Sequence, residues 1–128
     1  MRKSPAHVDI RLKRAYVPAE AGDGTRVLVD RLWPRGVKKD EAAIADWFRD
    51  LAPSTELRRW FGHDADRWDE FQRRYRRELG HHAEQLDELL QLARKGTLTL
   101  VFGARDEEHN DAVVLRHVLI ERAADGAK

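Results

Sequence analysis

The chain has 128 residues, 41% of them hydrophobic and 37% charged, with four tryptophans; that supports one packed core on one domain and is too short for a second. A formal net charge of +1 gives no whole-molecule attraction to nucleic acid or to an anionic membrane, so either partner would need a local patch. Without cysteine there can be no disulfide, iron–sulfur cluster, thiolate zinc site or cysteine nucleophile. No apolar run nears the roughly 20 residues that cross a bilayer, and MRKSPAHVDI lacks the apolar segment of a signal peptide, so a cytoplasmic location and no membrane partner are expected.

Val8, Ile10 and Leu12 alternate with Asp9, Arg11 and Lys13, which predicts a strand over 8–16 with one wet face or edge. A loop with a turn at Asp23-Gly24 leads to consecutive apolar residues, read as a buried strand over 26–32. Residues 37–43 read as a polar loop or short turn, and 44–51 as either a short strand or a helical turn. Ser54 or Thr55 caps a short helix carrying Leu57, Trp60 and Phe61 and ended by Gly62. Asp66 is expected to open a longer helix with the stripe Trp68, Phe71, Tyr75 and Leu79, closed by Gly80. A third helix turns Ala83, Leu86, Leu89, Leu90 and Ala93 inward, and TLTLVFG follows as a second buried strand. Asp106 is expected to cap a last helix with Ala112, Leu115, Val118 and Leu119 inside. Strands alternating with helices give an α/β fold: a single domain over 1–128, its central sheet at least partly parallel and flanked by helices, with loose termini at about 1–6 and 123–128.

In such sheets ligands collect beyond the carboxyl ends of the central strands. VLVD exits into Arg31, Trp33, Pro34, Arg35 and Gly36, and TLVFG exits into Ala104, Arg105 and Asp106. If the two strands are parallel neighbours, three arginines and an aspartate share one crevice, and guanidinium groups make forked hydrogen bonds to carboxylate or phosphate. The competing structural explanation pairs Asp30 with an arginine and uses Trp33 to cap the core. At the start ARDEEHND the backbone N–H groups face competition from Asp106, Glu107 and Glu108, which points to capping by Asp106 rather than to an anion site.

His63, Asp64 and His109 lack the HxxxH or HExxH spacing that would place metal ligands on one helical face, so no metal is assigned. His81 and His82 read as solvated. A serine triad has only Ser4, in the terminal stretch, and Ser54, a cap, to draw on. There is no GxGxxG or P-loop. The basic run RRYRR is dispersed around a helix and diluted by Asp66, Asp69, Glu70 and Glu78, which reads as a solvated face rather than a groove reader.

RLKRAY, DGTRVLVDRLWPRGVKK, LAPSTELRRWFGHD, RWDEFQRRYRREL and GTLTLVFGARDEEHNDAVVL together resemble the domain of unknown function 488 family, the YeaO-like proteins, across nearly the whole chain. The resemblance implies that DRLWPRG, WFGHD and ARDEEHN are the characteristic stretches. Here they are carried by Asp30, Arg31, Trp33, Pro34, Arg35, Gly36, Trp60, Phe61, Gly62, His63, Asp64, Arg105, Asp106 and Asn110. It implies no activity. A tyrosine often stands in the family where this chain has Phe102, so no hydroxyl acts there, and a lysine can replace Arg105.

The expectation is a protein with an arginine-lined crevice for a small anionic ligand, acting as an enzyme or a sensor. Arg31, Trp33, Arg35, Arg105 and Asn110 form the ligand-binding set, and Asp30, His63 and Asp106 the proton-handling set. No cofactor, reaction or oligomeric state follows from the residues. The alternatives are a nucleic-acid-associated protein using the arginine helix, and an interaction module presenting its tryptophans.

Overall fold

The computed structural model describes residues 8–126, so Ser4 and the expected loose stretch 1–6 lie outside the described residues. Strands β1 (Ile10–Arg14), β2 (Thr25–Leu28), β3 (Asp46–Trp47) and β4 (Leu98–Phe102) form one sheet in the order β1-β4-β2-β3. Every neighbouring pair is parallel, and β2 lies beside β4 with Val27 opposite Leu100. The helices are α1 (Lys39–Ala42), α2 (Thr55–Phe61), α3 (Trp68–Leu79), α4 (Ala83–Lys95) and α5 (Asp111–Gly126).

The pleat divides the sheet's two faces unequally. Ile10, Val27, Val29, Leu98, Leu100 and Phe102 point into the main core, where Phe71, Tyr75 and Leu79 of α3, Leu86, Leu89 and Leu90 of α4, and Leu115 and Leu119 of α5 are buried. Ala15, Leu28 and Val101 face the other way onto a small cluster with Trp33, Val37, Ile44 and Trp47. On that second face three polar strand residues are tied together. Asp23 takes hydrogen bonds from Lys13 (3.0 Å) and from Arg26 (2.7 Å), and the Thr99 hydroxyl donates to the Asp23 carbonyl (2.7 Å). Gly24, at φ 63°, is required here, because a Cβ would stand 2.3 Å from the Thr97 carbonyl oxygen.

Several expected boundaries move, each for a local reason. β2 ends at Leu28 rather than at 32: Val29 still donates to the Val101 carbonyl (3.1 Å), but the chain then turns off the sheet at Asp30. Residues 37–43 contain the short helix α1, and 44–51 hold both alternatives, strand β3 and then a 3₁₀ turn over Arg49–Leu51. Asp66 does not open α3. The Asp64 carboxylate accepts from Asp66 N–H and caps a 3₁₀ turn over Ala65–Arg67, from which α3 continues at Trp68. Ser54 caps α2 as expected, accepting from Leu57 N–H (3.1 Å).

The last helix begins later and ends later than its sequence indicates. Asn110, not Asp106, is its cap: the Asn110 Oδ1 accepts from Val113 N–H (3.1 Å), while Asp106 closes a separate turn on Glu108 and His109. At the other end α5 continues to Gly126 because Ala123 is fully buried in the core; the tail expected to loosen from 123 is helical there.

Candidate functional site

Because β2 and β4 are parallel neighbours, their carboxyl ends open on the same edge, and a cavity of about 310 Å³ lies there. The exit of β2 contributes Asp30, Arg31 and Leu32, and the exit of β4 contributes Gly103 and Ala104. The turn before α5 brings His109, Asn110 and Asp111. α2 and the turn after it supply Arg58, Phe61 and His63, with Ala52, Pro53 and Phe71 completing the wall. Arg58, His63 and Leu32 are exposed at the lip, whereas Phe61 and Phe71 are buried behind it.

Two carboxyl groups share this space, and both are held above the ordinary aspartate range. Burial raises Asp30 to about 6, against the opposing pull of the Gly103 N–H, which donates to its Oδ2 at 2.8 Å, and of the Arg58 charge. Burial and then the negative charge of Asp30 raise Asp111 to about 8, with the N–H groups of Asp111 and Ala112 at the start of α5 and the Arg58 charge acting in the other direction. The two carboxyls titrate together, and each is drawn toward its protonated form. Gly103 permits the approach: a Cβ there would meet the Asp30 carboxylate at 3.0 Å.

The two arginines are not saturated by acids. Arg31 donates to the carbonyls of Pro53 (3.2 Å) and Ala52 (3.4 Å), which orient the guanidinium without neutralising it. Arg58 projects from α2, and its charge acts on both carboxyls. His63 follows Gly62 with a left-handed backbone, φ 58°, an uncommon conformation for histidine, and its ring lies 6.1 Å from that of Phe61.

The remaining expected residues divide. Asp30, Arg31, His63 and Asn110 line the cavity. Trp33, Arg35, Arg105 and Asp106 are not part of its lining, so three arginines from the two strand exits do not share one crevice. Trp33 donates to the Val37 carbonyl (2.7 Å) and meets Trp47 edge-on within the small cluster, the core-capping role. Arg35 and Arg105 are exposed. Asp106 accepts from the N–H groups of Glu108 and His109, which hold its carboxyl below the ordinary range, and faces His109 Nδ1 at 3.0 Å. It thereby fixes a histidine that does line the cavity, set edge-on against Trp68. Asn110 is occupied with structure, its Nδ2 donating to the Asp106 carbonyl (2.7 Å).

Arg58 and Asp111 escaped the sequence reading: one sits in a helix beside a second arginine, the other at the end of an acidic run. The only signal was position, since Asp111 opens the helix that follows β4 and Arg58 lies midway along the short helix α2.

The other surfaces are more ordinary. Arg73 and Arg74 bind Glu70, Arg76 binds Glu121, and Tyr75 is buried, so the basic run is largely matched by acids. All four tryptophans are half-buried rather than exposed. Among the described residues no group of three histidine, aspartate or glutamate side chains is placed to hold a metal, and no helix is long and apolar enough to cross a membrane.

The fold and the site define a parallel α/β protein with a mainly apolar cavity at the strand exits that carries a few charged groups. Residues 9–127 match the family described as the inactive DUF488-N3 subclade, and the chain belongs to that DUF488 family. It is 43% identical to the uncharacterized protein YeaO of Escherichia coli K12 over 108 residues, 84% of this chain and 94% of the relative. It is 42% identical to the uncharacterized protein Rv3073c of Mycobacterium tuberculosis H37Rv over 110 residues, 86% of this chain and 92% of the relative. No solved structure matches the chain.

Proposed function

We propose that this protein binds a small anionic ligand in the strand-end cavity and does so without turnover. The observation that carries this reading is the pair Arg31 and Arg58: two guanidinium groups line one cavity, the first satisfied only by neutral carbonyls. Buried apolar walls beside a few convergent polar groups are the usual construction of a small-molecule site. Membership of an inactive subclade favours binding over catalysis. Asp30 and His63 are then contacts within the cavity, Asp106 acts through His109, and Arg35 and Arg105 fall outside the ligand's reach. A cytoplasmic setting suits such a ligand.

The test is an NMR titration with inorganic phosphate and with 3-phenylpropionate. Binding is expected to shift the amide signals of Gly103, Asn110 and Asp111, and Arg58→Gln is expected to abolish those shifts. Unshifted cavity amides, or shifts that persist in the variant, would overturn the reading.

A further inference from the structure

We propose that the ligand is a small zwitterion of the α-amino-acid type, its carboxylate held by Arg58 and its ammonium by the Asp30–Asp111 pair. This rests on the anion reading above and adds the second charge. The cavity that contains Arg58 also contains both aspartates, and the Arg58 charge reaches each of them, so an anionic and a cationic subsite lie side by side. Adjacent charges of opposite sign match a molecule whose own charged groups are adjacent.

A site for anions alone has no use for two carboxyl groups in its wall, because each repels the ligand once ionised and each loses hydration on burial. An ammonium placed between them removes that penalty: it supplies three donors, attracts both oxygens and relieves their mutual repulsion. Asp30 Oδ2 is already engaged by the Gly103 N–H, which fixes the carboxylate plane for such a contact. Phe61 and Phe71 behind the charged groups offer an apolar seat for the rest of the ligand. The volume of about 310 Å³ is small, in keeping with a single amino-acid-sized molecule.

Three probes separate the two charges: L-phenylalanine carries both, 3-phenylpropionate only the anion, and 2-phenylethylamine only the cation. Calorimetric or NMR titration of the intact protein is expected to show L-phenylalanine binding at least about tenfold tighter than either of the others. Asp111→Asn is expected to reduce the advantage over 3-phenylpropionate to less than about threefold, and Arg58→Gln to reduce the advantage over 2-phenylethylamine likewise. Equal binding of L-phenylalanine and 3-phenylpropionate would overturn the zwitterion and leave the anion site standing. Tightest binding by 2-phenylethylamine would overturn both, and no binding by any of the three would overturn the zwitterion, the anion site then standing only if inorganic phosphate shifts the cavity amides. The comparison of probes on the unaltered protein needs no variant, so a substitution that disturbs folding does not remove the test.

Discussion

Asp23 and Asp30 flank the same strand, one at each end, and each is drawn away from bulk water, yet their surroundings treat the carboxylate in opposite ways. Burial pushes Asp23 up, but the Glu20 N–H, Lys13 and Arg26 together outweigh it and hold the carboxyl below the ordinary range. Arg26 is 3% exposed and completes its bonding on the Ala42 carbonyl. Asp30 has one backbone donor, a second carboxyl nearby and, in Arg31, an arginine whose hydrogen bonds go to the Ala52 and Pro53 carbonyls; the pull of Arg58 does not offset burial, and Asp30 is held above the range. The first cluster is closed, every charge answered from within the protein, and it clamps the crossing segment 15–24 to the sheet. The second is open. A buried charge cluster thus marks a candidate site when its charges are left unanswered, and a structural clamp when they are answered.

The largest effect should come from opening the closed cluster. Asp23→Ala leaves Arg26 buried without its acid and is expected to cost about 3–5 kcal/mol in urea unfolding. A loss below about 1 kcal/mol would show that the clamp contributes little and would weaken the contrast.

The open cluster should respond to pH with the opposite sign to a salt bridge. A carboxyl that holds its proton more tightly folded than unfolded stabilises the fold below about pH 4, and that contribution is lost as pH rises through about 6 for Asp30 and about 8 for Asp111. Stability should therefore fall between about pH 5 and about pH 9, by about 1.4 kcal/mol per pH unit for each carboxyl that is protonated only in the folded state, and Asp111→Asn should flatten most of that slope. A slope unchanged in the variant would remove Asp111 from the account.

Arg58→Gln removes the cation at the mouth of the open cluster. Its stability change should stay within about 0.5 kcal/mol, because Arg58 is exposed at the cavity lip, while anion binding is lost. The smallest effects belong to Arg35→Gln and Arg105→Gln, which should change stability by less than about 0.5 kcal/mol and leave anion binding intact. Loss of binding at either position would place the ligand outside the cavity described above.

The sequence made the scaffold of this comparison readable and left its chemistry obscure. The consecutive apolar residues of β2 and β4 predicted two buried strands, and the alternation with helices an at least partly parallel sheet, whereas their being neighbours was only the condition for a shared crevice, which the pairing of the two strands meets. The stripe Phe71, Tyr75 and Leu79 was readable because a helical face buried along its length repeats every three or four residues. Arg26 as a buried strand residue was not, since only the arrival of Asp23 across the turn makes its burial tolerable. Asp106 is a residue type that caps helices and leads the acidic start of the segment, whereas the helix starts where Asn110 can reach Val113. Asp111 and Arg58 acquire their importance from each other's position, and spacing along the chain does not encode that.

The most direct test of the contrast is a side-chain carboxyl titration by carbon-13 NMR with Asp23, Asp30 and Asp111 assigned. The account predicts Asp23 titrating below the ordinary range of about 4, and Asp30 and Asp111 titrating above it as a coupled pair. Asp30 and Asp111 titrating independently at ordinary values would contradict it, since the strand-end cluster would then be solvated and no different from the protein's surface acids.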